Sequence, residues 1–291
     1  MLKKLTFVLL RATLIHVLVR EFIQRRRVTI LLYHAPAPDV LDRHLHALSK
    51  SYTFITFREF LDASEHKQKL PPKALILTLD DGHASNHALL PVLKKYDVRA
   101  TIFLCSRIVG TNRHFWFKHP QAKQEIALLK TLDNGERLER LEKLDFRECQ
   151  AYEDRQALSW DEVDEMREWV DFQPHSMFHP ILPRCSEERV HEEIAKSKSD
   201  LEERGFAADV FAFPNGDYTK REMRIVQASG YRCSMSIDSG FNTDATDMYR
   251  LKRIGIPDGG EISELMLRAS GVWSFFRVFV KGRYQSQDPD C

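Results

Sequence analysis

Short apolar runs alternate along the chain with segments whose apolar positions recur every three or four residues. The runs are rich in Val, Ile, Leu and Phe and are typical of buried strands, and the intervening segments are typical of amphipathic helices. Strands are predicted at 28–34, 53–56, 74–80, 99–105, 170–175, 210–215, 232–237 and 250–256. Helices are predicted at 39–50, 57–65, 84–96, 159–168, 186–204 and 218–229. This alternation predicts an α/β fold with a parallel sheet, and the chain length favours a barrel over an open sheet.

Two segments depart from this pattern. Residues 118–158 are charged, helical in pattern and without predicted strands, so they are interpreted as a helical insertion in a barrel domain that covers 28–270. The insertion is expected to be too short to bury a core of its own. The tail 271–291 begins with an apolar, aromatic and basic portion and has a polar end that is expected to be disordered. Its first portion suits either contact with a membrane surface or docking on the barrel.

Charge separates the N-terminal segment 1–27 from the rest of the chain. The segment has seven basic residues and one acidic residue, whereas the whole chain has 43 basic and 42 acidic residues and a net charge of +1. Arg11 and His16 interrupt its apolar positions, which argues against a signal peptide or a membrane span. Two interpretations stay open. The segment is a basic amphipathic helix on an anionic membrane surface, or an ordinary helix packed on the domain.

Net charge and cysteine content indicate the expected partners and cellular compartment of the protein. A balanced net charge does not indicate nucleic-acid binding, so no nucleic-acid partner is expected. The five cysteines are odd in number and form no CxxC pair, which favours a reducing compartment over a disulfide framework. The expected location is therefore cytoplasmic, with the N-terminal segment allowing peripheral attachment to the inner face of the membrane.

Polar side chains follow four of the predicted strands, where a parallel barrel usually carries its chemistry. They are Asp80 and Asp81, His175 and His179, Asn215, and His34. A carboxylate with two imidazoles forms a facial set of metal ligands and leaves positions open for water and substrate. One aspartate would then bind the cation, and the other would be free to take a proton from water. A divalent metal is expected, zinc first, with cobalt, nickel, manganese and iron as alternatives.

Each of these signals also has a simpler interpretation when taken alone. A DDG sequence is often a turn with a helix cap, and an HxxxH pair is often two ordinary surface or core histidines. His83 and His87 follow the aspartate pair and could be mistaken for ligands. The combination, with each group at the end of a predicted strand, favours the metal site.

The motifs "TLDDG", "HSMFH" and "FAFPNG" resemble the first three motifs of the polysaccharide deacetylases, the family-four carbohydrate esterases. The resemblance extends from about residue 28 to 256. It implies an irregular, roughly seven-stranded β/α barrel that removes acetyl groups from N-acetylated sugars. It also assigns roles: Asp80 as general base, Asp81, His175 and His179 as metal ligands, and the backbone N–H near Asn215 as an oxyanion donor.

The chain departs from the family pattern at two positions. Many members have an arginine where this chain has Ala212, and many have a late histidine as general acid, whereas no histidine follows His191. "LLYH" and "FAFPNG" resemble the poly-N-acetylglucosamine deacetylase branch, in which an early histidine is the acid. This resemblance assigns the acid role to His34. Arg253 is the candidate that would replace the arginine orienting the base.

The expected function is metal-dependent removal of N-acetyl groups from a glycan, either an exopolysaccharide, a cell-wall glycan or a lipid-linked sugar. One alternative is an enzyme that removes a formyl group or an O-acetyl ester from a related sugar. The other is a glycan-binding pseudoenzyme, which the two departures favour. The intact aspartates and histidines favour the enzyme.

Overall fold

Each of the eight predicted runs contains a β-strand in the computed structural model of this chain, which describes residues 7, 8 and 10–274. In chain order the strands are β1 (Thr29–Tyr33), β2 (Thr53–Phe54), β3 (Ala74–Leu79), β4 (Ala100–Leu104), β5 (Val170–Pro174), β6 (Val210–Ala212), β7 (Cys233–Met235) and β8 (Ile254–Gly255). The strands are shorter than predicted mainly at their carboxyl ends, because the last residues of the runs leave the sheet to form the site.

The strands pair in parallel and follow one another around a barrel. One sheet has the order β5-β4-β3-β1-β8, with β2 paired to the start of β3, and β6 pairs with β7. A parallel bridge from Met235 to Leu251 joins β7 to the segment before β8. Between β5 and β6 the backbone pairing is interrupted, and the Gln173 side chain accepts a hydrogen bond from the Val210 N–H instead (2.8 Å). The predicted irregular β/α barrel, with seven strands around it and β2 outside, is therefore confirmed.

Helices surround the sheet at or near the predicted positions. The longer ones are Pro38–Ser49, Phe57–Glu65, Leu90–Tyr96, Trp160–Met166, Glu187–Glu202, Lys220–Ala228 and Ile262–Ala269. Three begin with a Ser or Thr N-cap and a Glu three residues later that bonds back to the cap: Thr56 with Glu59, Ser159 with Glu162, and Thr219 with Glu222. Such reciprocal caps satisfy N–H groups that the first turn leaves unpaired, which fixes where each helix starts.

Alternate residues of the central strands β1, β3 and β4 face two apolar layers. Ile30, Ile76 and Phe103 belong to a cluster inside the barrel, whereas their neighbours Leu31 and Leu77 belong to the cluster under the surrounding helices. Since side chains alternate along a strand, burial on both faces explains the continuous apolar runs in the sequence.

The insertion contains the short helices Pro120–Gln124, Ile126–Leu129 and Asn134–Glu142. It buries a small apolar cluster, which consists of Ala122, Leu129, Leu141 and Phe146 together with Trp116 and Ile181 from outside the insertion. The insertion thus shares this cluster with neighbouring segments, and its description as an insertion without a core of its own stays a prediction. Its position beside the loop that carries Ile181 brings it close to the site.

The terminal segments are described only in part. An α-helical turn at Ile15–Leu18 continues as a π-helix at Val19–Ile23, in which Val19 packs against the buried cluster of Phe7, Leu267 and Val272. Among residues 7, 8 and 10–274, no helix has the length and apolar character needed to cross a bilayer. The predictions for residues 275–291 fall outside the described residues.

Candidate active site

The predicted site residues meet at one edge of the barrel. Asp80 and Asp81 follow β3, and His175 follows β5. Asn215 lies three residues after the end of β6, and His34 directly follows β1. Because the strands are parallel, their carboxyl ends lie at the same edge, so residues far apart in sequence become neighbours.

Asp81, His175 and His179 form a buried cluster that fits a metal ion. Their ligand atoms all lie within 4.8 Å of one another. Asp81 Oδ1 is 3.4 Å from His175 Nε2 and 3.2 Å from His179 Nε2. This oxygen is buried and has no hydrogen-bond partner within the described structure. One carboxylate oxygen facing two imidazole nitrogens is a donor set suited to zinc and similar divalent cations.

Hydrogen bonds behind the cluster fix two of its side chains. His175 Nδ1 donates to the Ala212 carbonyl (2.7 Å), which leaves Nε2 directed at Asp81. His83 Nε2 lies 3.1 Å from Asp81 Oδ2 and therefore engages the oxygen that the histidine pair does not face. The Lys118 ammonium lies 2.8 Å from His83 Nδ1 and donates to it. Such outer contacts orient metal ligands and set which nitrogen carries the proton.

Burial and charge together set the ionisation of this cluster. Burial alone would raise the pKa of Asp81, but His179, His175 and His83 hold it well below its usual range. Burial lowers the pKa of His179, and the nearby Asp81 carboxylate only partly offsets this. Burial would lower the pKa of His175, but Asp80 and Asp81 outweigh it and raise that pKa. Asp81 and His179 thus favour the ionised carboxylate and the neutral imidazole that bind a cation.

The backbone of the site adopts the left-handed region at four non-glycine residues. The φ angles are 75° at Asp81, 66° at Ser176, 59° at His179 and 55° at Asn215. For residues with a Cβ this conformation is sparsely populated, and it occurs often at functional sites. Here it turns the chain sharply at the strand ends, which directs the Asp81 and His179 side chains towards each other.

Asp80 is held by a buried arginine. Arg253 Nη1 donates to Asp80 Oδ1 (2.7 Å), and Arg253 Nε donates to the Ser236 carbonyl (3.0 Å). Burial would raise the pKa of Asp80, but Arg253 and His175 bring it below its usual value. The structure thus places the arginine predicted from "RLKRIGI" against the carboxylate. Ala212 occupies the position where family members often have arginine. Its backbone carbonyl accepts the hydrogen bond that orients His175.

The turn Pro214–Gly216 brings its backbone to the same edge. Asn215 Nδ2 is buried without a hydrogen-bond partner within the described residues. Gly216 has a φ of 73°, and a Cβ there would lie 2.4 Å from the Ile237 side chain. The turn therefore requires glycine at this position.

His34 is exposed, unlike the rest of the cluster. The Asp258 carboxylate accepts hydrogen bonds from the backbone N–H groups of His34 and Ala35 (both 3.1 Å). Asn86 Nδ2 donates to the His34 carbonyl (2.9 Å). The position of His34 is thus fixed through its backbone, and its imidazole lies near enough to lower the pKa of Asp80.

Glu193 supports the loop between the two histidine ligands and was not singled out from the sequence. Its carboxylate accepts hydrogen bonds from the backbone N–H groups of Met177 (2.7 Å) and Phe178 (3.0 Å). The Arg189 guanidinium lies 2.7 Å from the Glu193 carboxylate. Burial raises the pKa of Glu193 to about 7. Its signal in the sequence is a charged residue next to Ile194 on the buried face of the helix Glu187–Glu202.

Two further residues that the sequence did not indicate reach the site: the first residue of the insertion and the residue directly before it. Lys118 reaches His83, and the Phe117 ring lies 4.8 Å from the His179 ring. His87, by contrast, is half-buried and pairs with Glu165 at 2.8 Å, so it lies outside the ligand cluster. Of the two histidines that follow the aspartate pair, His83 therefore contacts the site and His87 does not.

Comparison with known proteins matches this chain to one family. A family model described as polysaccharide deacetylase matches residues 67–234, which is more than half of the chain. The Bacillus subtilis (strain 168) protein YxkH, provisionally named a polysaccharide deacetylase, is 20% identical over 246 residues, covering 80% of this chain and 72% of its own length.

Two solved structures share the fold. The deacetylase PplD from Streptococcus pyogenes, solved in complex with acetate, has a TM-score of 0.64 at 20% identity, covering 84% of this chain and 99% of its own. IcaB from Ammonifex degensii has a TM-score of 0.62 at 19% identity, covering 85% and 98%.

Proposed function

This chain belongs to the polysaccharide deacetylase family, and on that basis we propose that it removes N-acetyl groups from an N-acetylated glycan at the site around Asp80 and Asp81. The family makes it a hydrolase that acts on carbon–nitrogen bonds other than peptide bonds. The observation that supports the proposal most strongly is the arginine-held Asp80 beside a separate ligand cluster. One carboxylate can thus act as a base while its neighbour binds a cation.

Asp81, His175 and His179 would hold the divalent cation, with zinc as the first candidate and cobalt, nickel, manganese or iron as alternatives. When bound, the cation supplies Lewis acidity, which lowers the pKa of water and polarises a carbonyl oxygen. The contact between His83 and Asp81 Oδ2 leaves Oδ1 as the oxygen available to it.

The protein residues divide the proton transfers between them. Asp80, kept ionised by Arg253, takes a proton from the attacking water, whose oxygen forms a bond to the acetyl carbon. The backbone N–H groups of the turn at Asn215 would stabilise the negative oxygen that forms there. His34 donates a proton to the sugar nitrogen as the carbon–nitrogen bond breaks, so that acetate and a free amine leave.

The alternative of a catalytically inactive glycan binder rests on two absent residues, an arginine and a late histidine. The structure supplies a counterpart for the arginine. The arginine absent at Ala212 has a counterpart in Arg253, which contacts the predicted base directly. The absent late histidine would be replaced by His34, whose exposed side chain lies at the same edge. The role of His34 as the general acid stays a prediction. The cytoplasmic location of the protein is a separate prediction.

Acetate release from short N-acetylglucosamine oligomers, compared between the wild type and Asp80→Asn, tests the proposal. We expect the variant to keep its metal and lose turnover by at least about 10²-fold, because asparagine fills the same space but takes no proton. Retained turnover would refute the role of Asp80. Oligomers of the same length that carry N-formyl or O-acetyl groups test the alternative substrates. The enzyme should hydrolyse its true substrate fastest, as measured by release of formate or acetate.

A further inference from the structure

The segment Leu14–Ile23 presents most of its large apolar side chains to solvent, whereas Val19 packs against the cluster of Phe7, Leu267 and Val272, and His16 is buried. Of the eight large apolar side chains that are exposed among the described residues, six lie between residues 8 and 23. They are Val8 (54%), Leu14 (61%), Ile15 (40%), Leu18 (56%), Phe22 (80%) and Ile23 (50%). Ile15, Leu18 and Phe22 are spaced three and four residues apart, so they form one stripe along the helical segment.

The inward side of the segment is held by polar contacts. Gln24 is fully buried, donates to the Ala269 carbonyl (2.8 Å) and accepts from the Tyr52 hydroxyl (3.2 Å). Glu21 pairs with Lys73 at 3.0 Å, and His16 is also buried. These contacts fix the segment with its apolar stripe outward. The stripe is therefore not the face by which the segment packs on the barrel.

Cationic side chains continue the stripe at its carboxyl end. Arg25, Arg26 and Arg27 are exposed and, with Phe22 and Ile23, line an open cavity of about 600 Å³. The cavity also includes Glu21, whose carboxylate already pairs with Lys73 and Arg20. Protruding apolar side chains next to a row of arginines match the interface of an anionic bilayer, which takes up both groups at once.

We propose that this surface, formed by Leu14, Ile15, Leu18, Phe22, Ile23 and Arg25–Arg27, docks the protein on a membrane that contains anionic phospholipids. The apolar side chains insert at the level of the headgroups, and the arginines contact the lipid phosphates. The apolar side chains are exposed along the helical segment, and the open cavity at its end is lined by three arginines, which favours a deformable anionic bilayer over a folded protein partner.

Docking by this surface also orients the barrel. Glu21 and Arg25 contact Lys73, which directly precedes β3, whereas Asp80 directly follows it. The six-residue strand between them spans roughly 17 Å. The carboxyl end of the docking surface and the candidate active site thus lie at opposite edges of the sheet. If the proposed function holds, the site stays open to a glycan in the aqueous phase while the protein is bound.

Flotation of the full chain with phosphatidylglycerol-containing vesicles and with pure phosphatidylcholine vesicles tests the docking. We expect binding to the anionic vesicles and at least tenfold weaker binding to the neutral ones. Leu18→Glu/Phe22→Glu should weaken anionic binding by at least about tenfold for each side chain. Arg25→Glu/Arg26→Glu should weaken it by about fivefold or more for each arginine. Leu128→Glu, at a similarly exposed leucine in the insertion, should bind like the wild type.

Three results would overturn the docking: no flotation of the wild type, equal binding to both vesicle types, or unchanged binding in the Leu18→Glu/Phe22→Glu variant. Acetate release from soluble oligomers should be the same for this variant as for the wild type. For the wild type it should also be the same with and without anionic vesicles. Loss of activity on the vesicles would overturn the orientation alone. Absence of activity without vesicles would instead count against the proposed function and leave the docking result intact.

Discussion

Replacing Arg253 with methionine tests how the general base is held. The guanidinium is completely buried and donates to Asp80 Oδ1 at 2.7 Å, so methionine leaves a buried carboxylate with no arginine beside it. Burial raises the pKa of Asp80 and Arg253 lowers it, so removing Arg253 shifts this pKa upward. Since a general base must be ionised, the acidic limb of the profile of kcat/KM against pH should move to higher pH.

The expected size follows from the burial of both partners. Removing one side of a buried ion pair costs about 3–5 kcal/mol of stability, whereas an exposed pair contributes about 0–1 kcal/mol. Arg250 offers a matched control, since it lies three residues away, pairs with Asp238 at 2.9 Å and has a 44% exposed side chain. We therefore expect Arg253→Met to lower kcat/KM by about 10²-fold near neutral pH and to lower Tm measurably. Arg250→Met should do neither.

The assay is acetate release across pH on metal-loaded protein, with Tm and metal content measured on the same samples. Arg253→Lys keeps a positive charge and should recover part of the activity and return the acidic limb towards the wild-type position. If Arg253→Met folds, binds metal and keeps both its kcat/KM within threefold and its acidic limb, Arg253 does not hold the base. A drop in activity with an unmoved limb would show that the arginine matters only for stability.

Two further expectations concern residues behind the ligand cluster. His83→Ala should lower metal affinity by about 10–100-fold, because Asp81 Oδ2 loses the contact that orients it; a competition titration with a chelator measures this, and unchanged affinity would remove His83 from the site. Glu193 has a pKa raised from its ordinary value of 4.5 to about 7, so the native state binds the extra proton and loses stability as pH rises from about 4.5 through about 7. Glu193→Gln should flatten that decline in the free energy of unfolding, and an equally steep decline would refute the assignment.

Much of the barrel could be predicted because its strands are buried on both faces. Continuous apolar runs mark such strands, as at β1, β3 and β4, which are buried along their whole length. Alternation along the strands even places the key ion pair: Asp80 continues the series of Ile76 and Thr78, and Arg253 continues that of Leu251, with Ile76 and Leu251 inside the barrel. Asp80 and Arg253 therefore both point into the barrel, and in the structure Arg253 donates a hydrogen bond to Asp80.

The contacts behind the ligands could not be predicted in this way. Lys118 reaches His83 across 35 residues, from an irregular insertion whose path no local pattern determines. The positive φ angles at Asp81 and His179 are likewise set by the surrounding structure. Asp and His adopt this region more often than most residues, but no sequence pattern shows at which positions they do so. Glu193 did leave a trace, as a charge on the buried face of a helix, but only the structure identifies Met177 and Phe178 as its partners.

The central claim is that Asp81, His175 and His179 bind a catalytic cation and that Asp80 is the base beside it. The most direct test titrates zinc into chelator-treated protein while bound metal and acetate release are measured on the same samples. We expect acetate release to rise in proportion to occupancy up to one ion per chain, and Asp80→Asn to bind the same ion without releasing acetate. Acetate release that does not depend on bound metal, or an active Asp80→Asn protein, would contradict the account.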